Sequence, residues 1–502
     1  MLVALFSLTG CHAIDDLFCN GAGCDWTDEE WTRVKALSPL PDPPRDESNA
    51  YDFPGNEAVI ALGQQFYFDP RFSGNATLVD TIGNPVPYAR AAQGQPINVA
   101  CATCHDPKRA GADFTSAPNT VSIGAGWYDV NGQQTLNAAQ YPLLYWNGRS
   151  DSLWSQAAAV SESGVSMNGT RLNTFWVIVN NYRYDYTNVF GAFYPLPDAP
   201  TVAQFPLVGK PIADGSFPLL AENDRDTVTR VFVNWAKAIG AYERTLISRD
   251  SAFDRWVQDG PDSTWISPQA KRGVRLFVGK ASCIDCHNTA LFSDGKFHDI
   301  GVPQVGSHVP TVADCPSFSK TCDCTPGAEK GNCLPSGAWG GLKKLHAADT
   351  APASGGLNYN YLRRDSTWSD NPDDDSRAAF YVDPDDVGLK GAWRTPSLRD
   401  VALTAPYMHD GYYRTLEDVL WHYNNGGAAS GSGQFDKTPE RAVQIKPLAL
   451  TEDEVSDLVE FLKTLTGAPL ATDQVVRPDA SAQDASPSDG GAPDAPSDAS
   501  SQ

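Results

Sequence analysis

Four stretches of the chain space their apolar positions like one face of a helix. In NEAVIALGQQFYFDPRFSG, residues 56–74, the pattern reads as a helix. In SPQAKRGVRLFVGKASCIDCH, residues 267–287, Ser267 can cap and Pro268 suits the first helical position. Val274, Phe277 and Val278 then line up on one side. TLEDVLWHYNNGG opens on Thr415, carries Asp418 three residues on, and stops at Gly426-Gly427. LTEDEVSDLVEFLKTLTG repeats that plan with Thr451 and Glu454 and ends at Gly467. Strand patterns are few and short. The expected class is mainly α with long loops.

The first two helices share a context. One lies some way before CATCH at residues 101–105, the other directly before CIDCH at residues 283–287. That reads as a duplicated domain: an N-terminal unit over 51–260 and a C-terminal unit over 261–470, the latter with an insertion at 306–380. Residues 12 to about 50 are Pro-rich and acidic, so 11–50 reads as a tether. Residues 471–502 hold Ala, Ser, Pro, Asp and Gly with almost nothing to bury, and read as a disordered tail.

Composition narrows the class. At 502 residues with 41% apolar and 20% charged positions, the chain can bury ample core. No run of 18 apolar residues suggests a membrane-spanning helix. The net charge of -23 argues against nucleic acid and anionic membrane surfaces as partners. MLVALFSLTGC resembles a bacterial lipoprotein signal, with residues 1–10 removed and Cys11 lipidated. The expected place is the periplasm or cell envelope, with that lipid as the one membrane contact. Cysteine usage agrees: apart from Cys11 and the two Cys-x-x-Cys pairs, six of the 11 cysteines remain for disulfides. Cys19 can pair with Cys24, while Cys315, Cys322, Cys324 and Cys333 crowd one loop-like stretch.

The chemistry lies in the pentapeptides. Two thiols spaced Cys-x-x-Cys can add to the two vinyl groups of one haem, and the adjoining histidine then ligates the iron. A thioredoxin-like pair or a zinc half-site would not need that histidine. Cys101, Cys104 and His105 therefore read as one c-type haem site, and Cys283, Cys286 and His287 as a second. Each unit becomes a cytochrome c-like domain. The sixth ligand decides between electron transfer and catalysis. None of the eight histidines lies between 105 and 287, and the three methionines are Met1, Met167 and Met408. The first iron is thus expected to be open to peroxide, with Met167 the competing ligand.

These residues resemble the bacterial di-haem cytochrome c peroxidases, including the MauG-like proteins, over roughly residues 55–468. YWNGRSDSLWSQA resembles the family's inter-haem segment, and FSDGKFHDIGVP follows the second motif as it does there. WRTPSLRDVALTAPYMHDGYYRTLEDVLWHYNNGG resembles its C-terminal signature. The resemblance implies that Trp146 conducts electrons between haems and that Gln156 lies near the open one. It implies that Asn119, Thr404 and Pro406 hold a calcium ion between the domains. The sixth ligand of the second haem stands 17 residues after Pro406, at Tyr423, as in MauG-like members; peroxidases proper have methionine there. His422 and Met408 are the competing ligands. A phenolate would lower the reduction potential. The family's proton-moving glutamate, 20 residues after Trp146, is replaced by Ser166, with Glu162 one helical turn earlier as the substitute. The implied activity is hydrogen peroxide activation at the N-terminal haem with electrons passed through the C-terminal one. The donor is a small redox protein or a protein substrate. The alternative is a non-catalytic di-haem electron-transfer lipoprotein.

Overall fold

The computed structural model describes residues 26–302 except 81–82, 114–121, 129, 193 and 212–215. Beyond these it describes 362–373, 391–427, 445–476 and a few isolated positions. Cys11 and the six cysteines read as disulfide partners lie outside the described side chains. Two helical cores carry the fold, as the mainly α expectation required.

Ten helices matter here. They are α1 (Asp28–Lys35), α2 (Glu57–Tyr67), α3 (Leu153–Glu162), α4 (Arg171–Asn181) and α5 (Arg183–Phe190). There follow α6 (Glu222–Glu243), α7 (Ala252–Asp259), α8 (Pro268–Val278), α9 (Leu416–Asn424) and α10 (Glu452–Lys463). Their starts follow the capping logic of the sequence: Ser267, Thr415 and Thr451 each accept the backbone N–H three residues on. Thr451 and Glu454 close a full capping box.

The first core packs α2, α3, α4 and α5 around the long α6, with Val59, Leu62, Phe66, Trp154 and Trp235 buried within it. The second packs α1, α7, α8, α9 and α10. The two are built alike where the helix before each pentapeptide crosses the last helix of its unit. A Cβ on Gly63 of α2 would stand 1.9 Å from the Ala238 carbonyl oxygen of α6. A Cβ on Gly273 of α8 would stand 2.1 Å from the Asp457 carbonyl oxygen of α10. Only glycine permits either approach, so the duplicated plan extends to the backbone contact.

Four boundaries differ from the sequence reading. From residue 26 on, the expected tether is folded: Val34 and Leu37 are fully buried in the second core, and Leu40 is buried nearby. The domain border precedes α7 rather than falling at 260, because Phe253 and Trp256 belong to the second core. Residues 362–373, assigned to the C-terminal insertion, return to the first core. There Trp368 is buried and Asp370 pairs with the buried Lys237 at 2.7 Å. The tail also starts later, since the amide of Gln64 donates to the carbonyls of Asp473 and Val476. Residues 477–502 lie outside the described part. No helix among the described residues is long and apolar enough to cross a membrane.

Candidate functional site

Two cavities, one per core, meet at Trp146. The first spans about 1240 Å³ and the second about 1340 Å³ of space, each partly open to solvent. Cys101, Cys104 and His105 wall the first; Cys283, Cys286 and His287 wall the second. Trp146 and Arg394 line both.

The pentapeptides are shaped alike. Cys101–Cys104 forms one helical turn, and Cys283–Asp285 a 3-10 turn. His105 Nδ1 lies 3.1 Å from the Gly111 carbonyl oxygen, and His287 Nδ1 lies 2.6 Å from that of Phe292. A carbonyl only accepts, so each Nδ1 carries the proton and each Nε2 keeps its lone pair for a ligand. Burial also pushes both imidazoles down, which keeps them neutral. The four cysteines are free thiols, and burial pushes Cys104 and Cys283 up to about 12. Neutral, unpaired thiols and a neutral imidazole beside a large cavity suit thioether attachment of a macrocycle. They do not suit a thiolate redox pair, which needs a depressed thiol pKa.

Trp146 is fixed on both sides. Its Nε1–H donates to the Asn131 carbonyl at 2.9 Å, and its own carbonyl accepts the Arg394 N–H at 2.8 Å. Arg394 sits on the short antiparallel pair Phe297–His298 with Trp393–Arg394. Its guanidinium lies 3.5 Å over the Tyr141 ring and Nε donates to the Tyr145 carbonyl, yet the buried Nη1 meets no partner among the described residues. A cationic side chain lining both cavities suits an anionic group bound there.

Tyr423 of α9 lines the second cavity, and burial pushes its phenol well above its usual range. Met408 lines it too. His422 does not: Tyr413 Oη lies 2.8 Å from its Nδ1, and the Ile300 carbonyl lies 2.9 Å from its Nε2. His409 is an unanticipated neighbour. It stacks on Trp393 at 4.0 Å, stands 6.4 Å from the Trp146 ring, and burial pushes its imidazole down to about 3. Its place beside Met408 in PYMHDG was the available signal.

In the first cavity, Gln156, Ser166 and Met167 line the wall. Glu162 does not. Arg171 grips both of its oxygens, at 3.0 and 2.9 Å. The carboxylate lining this cavity is Glu243 at the end of α6, 77 residues beyond Ser166. Asn119 lies outside the described residues. Among the described residues, the asparagine that meets Pro406 is Asn131, whose Nδ2 donates to the Pro406 carbonyl at 2.7 Å while Oδ1 is buried without a partner. Thr404 Oγ1 donates to the Val401 carbonyl.

Comparison with known proteins agrees with this geometry. Residues 57–262 match the family model of the di-haem cytochrome c peroxidases. The chain is 29% identical over 454 residues to cytochrome-c peroxidase IdrP1 of Denitromonas iodatirespirans, covering 89% of this chain and 90% of that protein. It is 27% identical over 461 residues to the methylamine utilization protein MauG of Methylorubrum extorquens, covering 90% and 91%. Among solved structures it shares the fold of a MauG-like protein associated with microbial copper homeostasis, with a TM-score of 0.54, 22% identity, and coverage of 88% of this chain and 97% of that one. It shares that of the di-haem peroxidase BthA from Burkholderia thailandensis at a TM-score of 0.52, 20% identity, and coverage of 86% and 92%. Two cavities, each walled by a Cys-x-x-Cys-His and meeting at one tryptophan, and relatives matched across nearly their whole length, make the chain similar to the di-haem cytochrome c peroxidases, MauG-like proteins included.

Proposed function

We propose that this chain activates hydrogen peroxide in its N-terminal cavity with electrons passed from its C-terminal cavity through Trp146. The carrying observation is that Trp146 lines both cavities and is held by backbone hydrogen bonds on both sides. When bound, c-type haem supplies one-electron chemistry at both irons and, where a coordination position stays open, a place for peroxide.

Cys101 and Cys104 would anchor the first haem and His105 Nε2 would ligate it; Cys283, Cys286 and His287 Nε2 would do so for the second. Gln156 faces the first cavity, where its amide can orient a small polar oxidant. Tyr423 facing the second cavity supports a phenolate ligand there and a low potential. A low potential makes ordinary small carriers poor reductants, so a protein side chain is the favoured electron source, with a small redox protein the second choice. Arg394, which lines both cavities, would offer its guanidinium to a carboxylate of either bound group.

A calcium ion between the domains belongs to the same proposal. The Pro406 carbonyl and the unpaired Asn131 Oδ1 are neutral oxygen donors of the kind calcium takes, and Thr404 lies two residues from Pro406. So does an exported location with a lipid at Cys11, supported by the signal-like start and the cysteine count.

Pyridine haemochrome spectra and electron paramagnetic resonance of the ferric protein test this reading. Two thioether-linked haems, one high-spin and one with an oxygen ligand, are expected. Two low-spin irons that bind neither cyanide nor peroxide would leave only an electron-transfer protein.

A further inference from the structure

Glu243 ends the 22-residue helix α6, where the backbone already presents the negative end of the helix dipole. Its side chain is buried and lines the first cavity beside Cys101. It is the one carboxylate among the described residues of that wall.

Its surroundings offer the charge nothing. Among the described residues, no hydrogen-bond donor or cation meets the carboxyl. The two nearest phenols are committed elsewhere: Tyr67 of α2 donates to the His105 carbonyl at 2.7 Å, and Tyr242 donates to the Gln474 carbonyl at 2.6 Å. From α3, the cavity receives Leu153, Gln156, Ala157 and Val160, none of them ionisable. Gln133 and Gln134 of the facing loop are likewise neutral. The charged groups nearby serve other residues. Asp106 acts on Tyr242, Asp113 and Arg90 act on Cys104, and Arg394 stands over Tyr141. Burial by itself pushes the Glu243 carboxyl up to about 8.

We propose that Glu243 is the proton-exchanging group of the first cavity, taking a proton from solvent when an electron enters that cavity and returning it when the electron leaves. This rests on the reading that the cavity holds a haem. The balance is simple: one electron comes from the reductant and one proton from water, so the net charge of the cavity stays constant. An unpaired buried carboxylate is costly, and an added negative charge nearby makes it costlier, so protonation follows the electron. Peroxide reduction consumes protons as well as electrons. The family's acidic position is Ser166 here and Glu162 is tied to Arg171, so Glu243 is the carboxyl within reach of the cavity.

The test is the midpoint potential of the N-terminal haem in the holoprotein, measured by spectroelectrochemistry across a pH series. The wild type should show a potential that falls as pH rises through the neutral-to-alkaline range. Glu243→Gln, which keeps the shape and removes the charge, should flatten that slope. A wild-type potential independent of pH, or a slope that survives in Glu243→Gln, overturns the inference. A purely structural role would shift the potential by the same amount at every pH and is excluded by a change of slope. Redox-difference infrared spectra of the wild type need no variant. Taken above pH about 8, where the oxidised protein holds Glu243 ionised, they should gain a protonated carboxyl band on reduction, and its absence also overturns the inference. Haemochrome spectra of the same samples report on the haems separately. If the wild type carries none, the proposed function falls and this inference with it.

Discussion

Replacing Arg399 by methionine probes the clip that holds the second cavity together. Arg399 is fully buried, and Asp254 of α7 receives its Nη1 and Nη2 at 2.8 and 3.0 Å. Arg399 Nε also donates to the Ala290 carbonyl. Ser38, in the segment that reads as a tether, donates to the same Asp254 at 2.7 Å. One guanidinium therefore ties the N-terminal segment, α7 and the loop whose Leu398 and Val401 line the second cavity. Burial opposes the charge on Asp254, yet the hydrogen bonds and charge of Arg399 prevail and hold its carboxyl at about 2. Against the usual 3.8, that drop is worth on the order of 2 kcal/mol of stability. The contribution is complete above pH 3.8 and is lost as pH falls toward 2. Arg399→Met keeps most of the apolar stem but strands a buried carboxylate, an expected loss of about 3–5 kcal/mol near neutral pH. In the variant the carboxyl pKa rises instead, so protonation relieves the penalty. The deficit against wild type should shrink as pH falls from about 7 to about 4. Urea unfolding followed by far-UV circular dichroism at both pH values reads it. Adding Asp254→Asn should recover part of the loss. A variant as stable as wild type at neutral pH, or a deficit unchanged between the two pH values, refutes the reasoning.

Three further outcomes are expected. Tyr423→Met should raise the midpoint potential of the C-terminal haem, since a thioether stabilises ferric iron less than a phenolate does; an unchanged potential in a redox titration removes Tyr423 as the ligand. Trp146→Phe should keep both haems by haemochrome assay but slow electron exchange between them after rapid mixing with peroxide; wild-type kinetics would mean electrons take another route. Glu162→Gln should leave peroxide turnover near wild type, where loss of a working acid–base group would cost about 10²–10⁴-fold, because its carboxylate is bound to Arg171 outside the cavity. The same change should cost about 1–3 kcal/mol in urea unfolding, since Arg171 loses its charged partner.

The fate of Glu162 shows which parts of the site local sequence could carry. The pentapeptides were legible because haem attachment needs its residues side by side, and the capped helices because capping acts over three residues. The substitution of Glu162 for the missing glutamate rested on one helical turn separating it from Ser166. But α3 ends at Glu162 and Ser163 is extended, so the two residues do not share a helix face. Arg171, nine residues on, then draws the carboxylate away. The acid that does reach the cavity comes from α6, and no periodicity links Ser166 to Glu243. The same limit hid Asn131, which is joined to Pro406 across 275 residues, and Trp368, which returns from the insertion to the first core. It hid the folding of residues 26–50 as well. An eight-residue helix with Val34 as its single buried side chain has too short a period to register, and its partners lie more than 200 residues away. Covalent chemistry and capping are local and write themselves into spacing. The placement of an unpaired charge is decided by which distant helix closes the cavity, and in this chain that helix is α6.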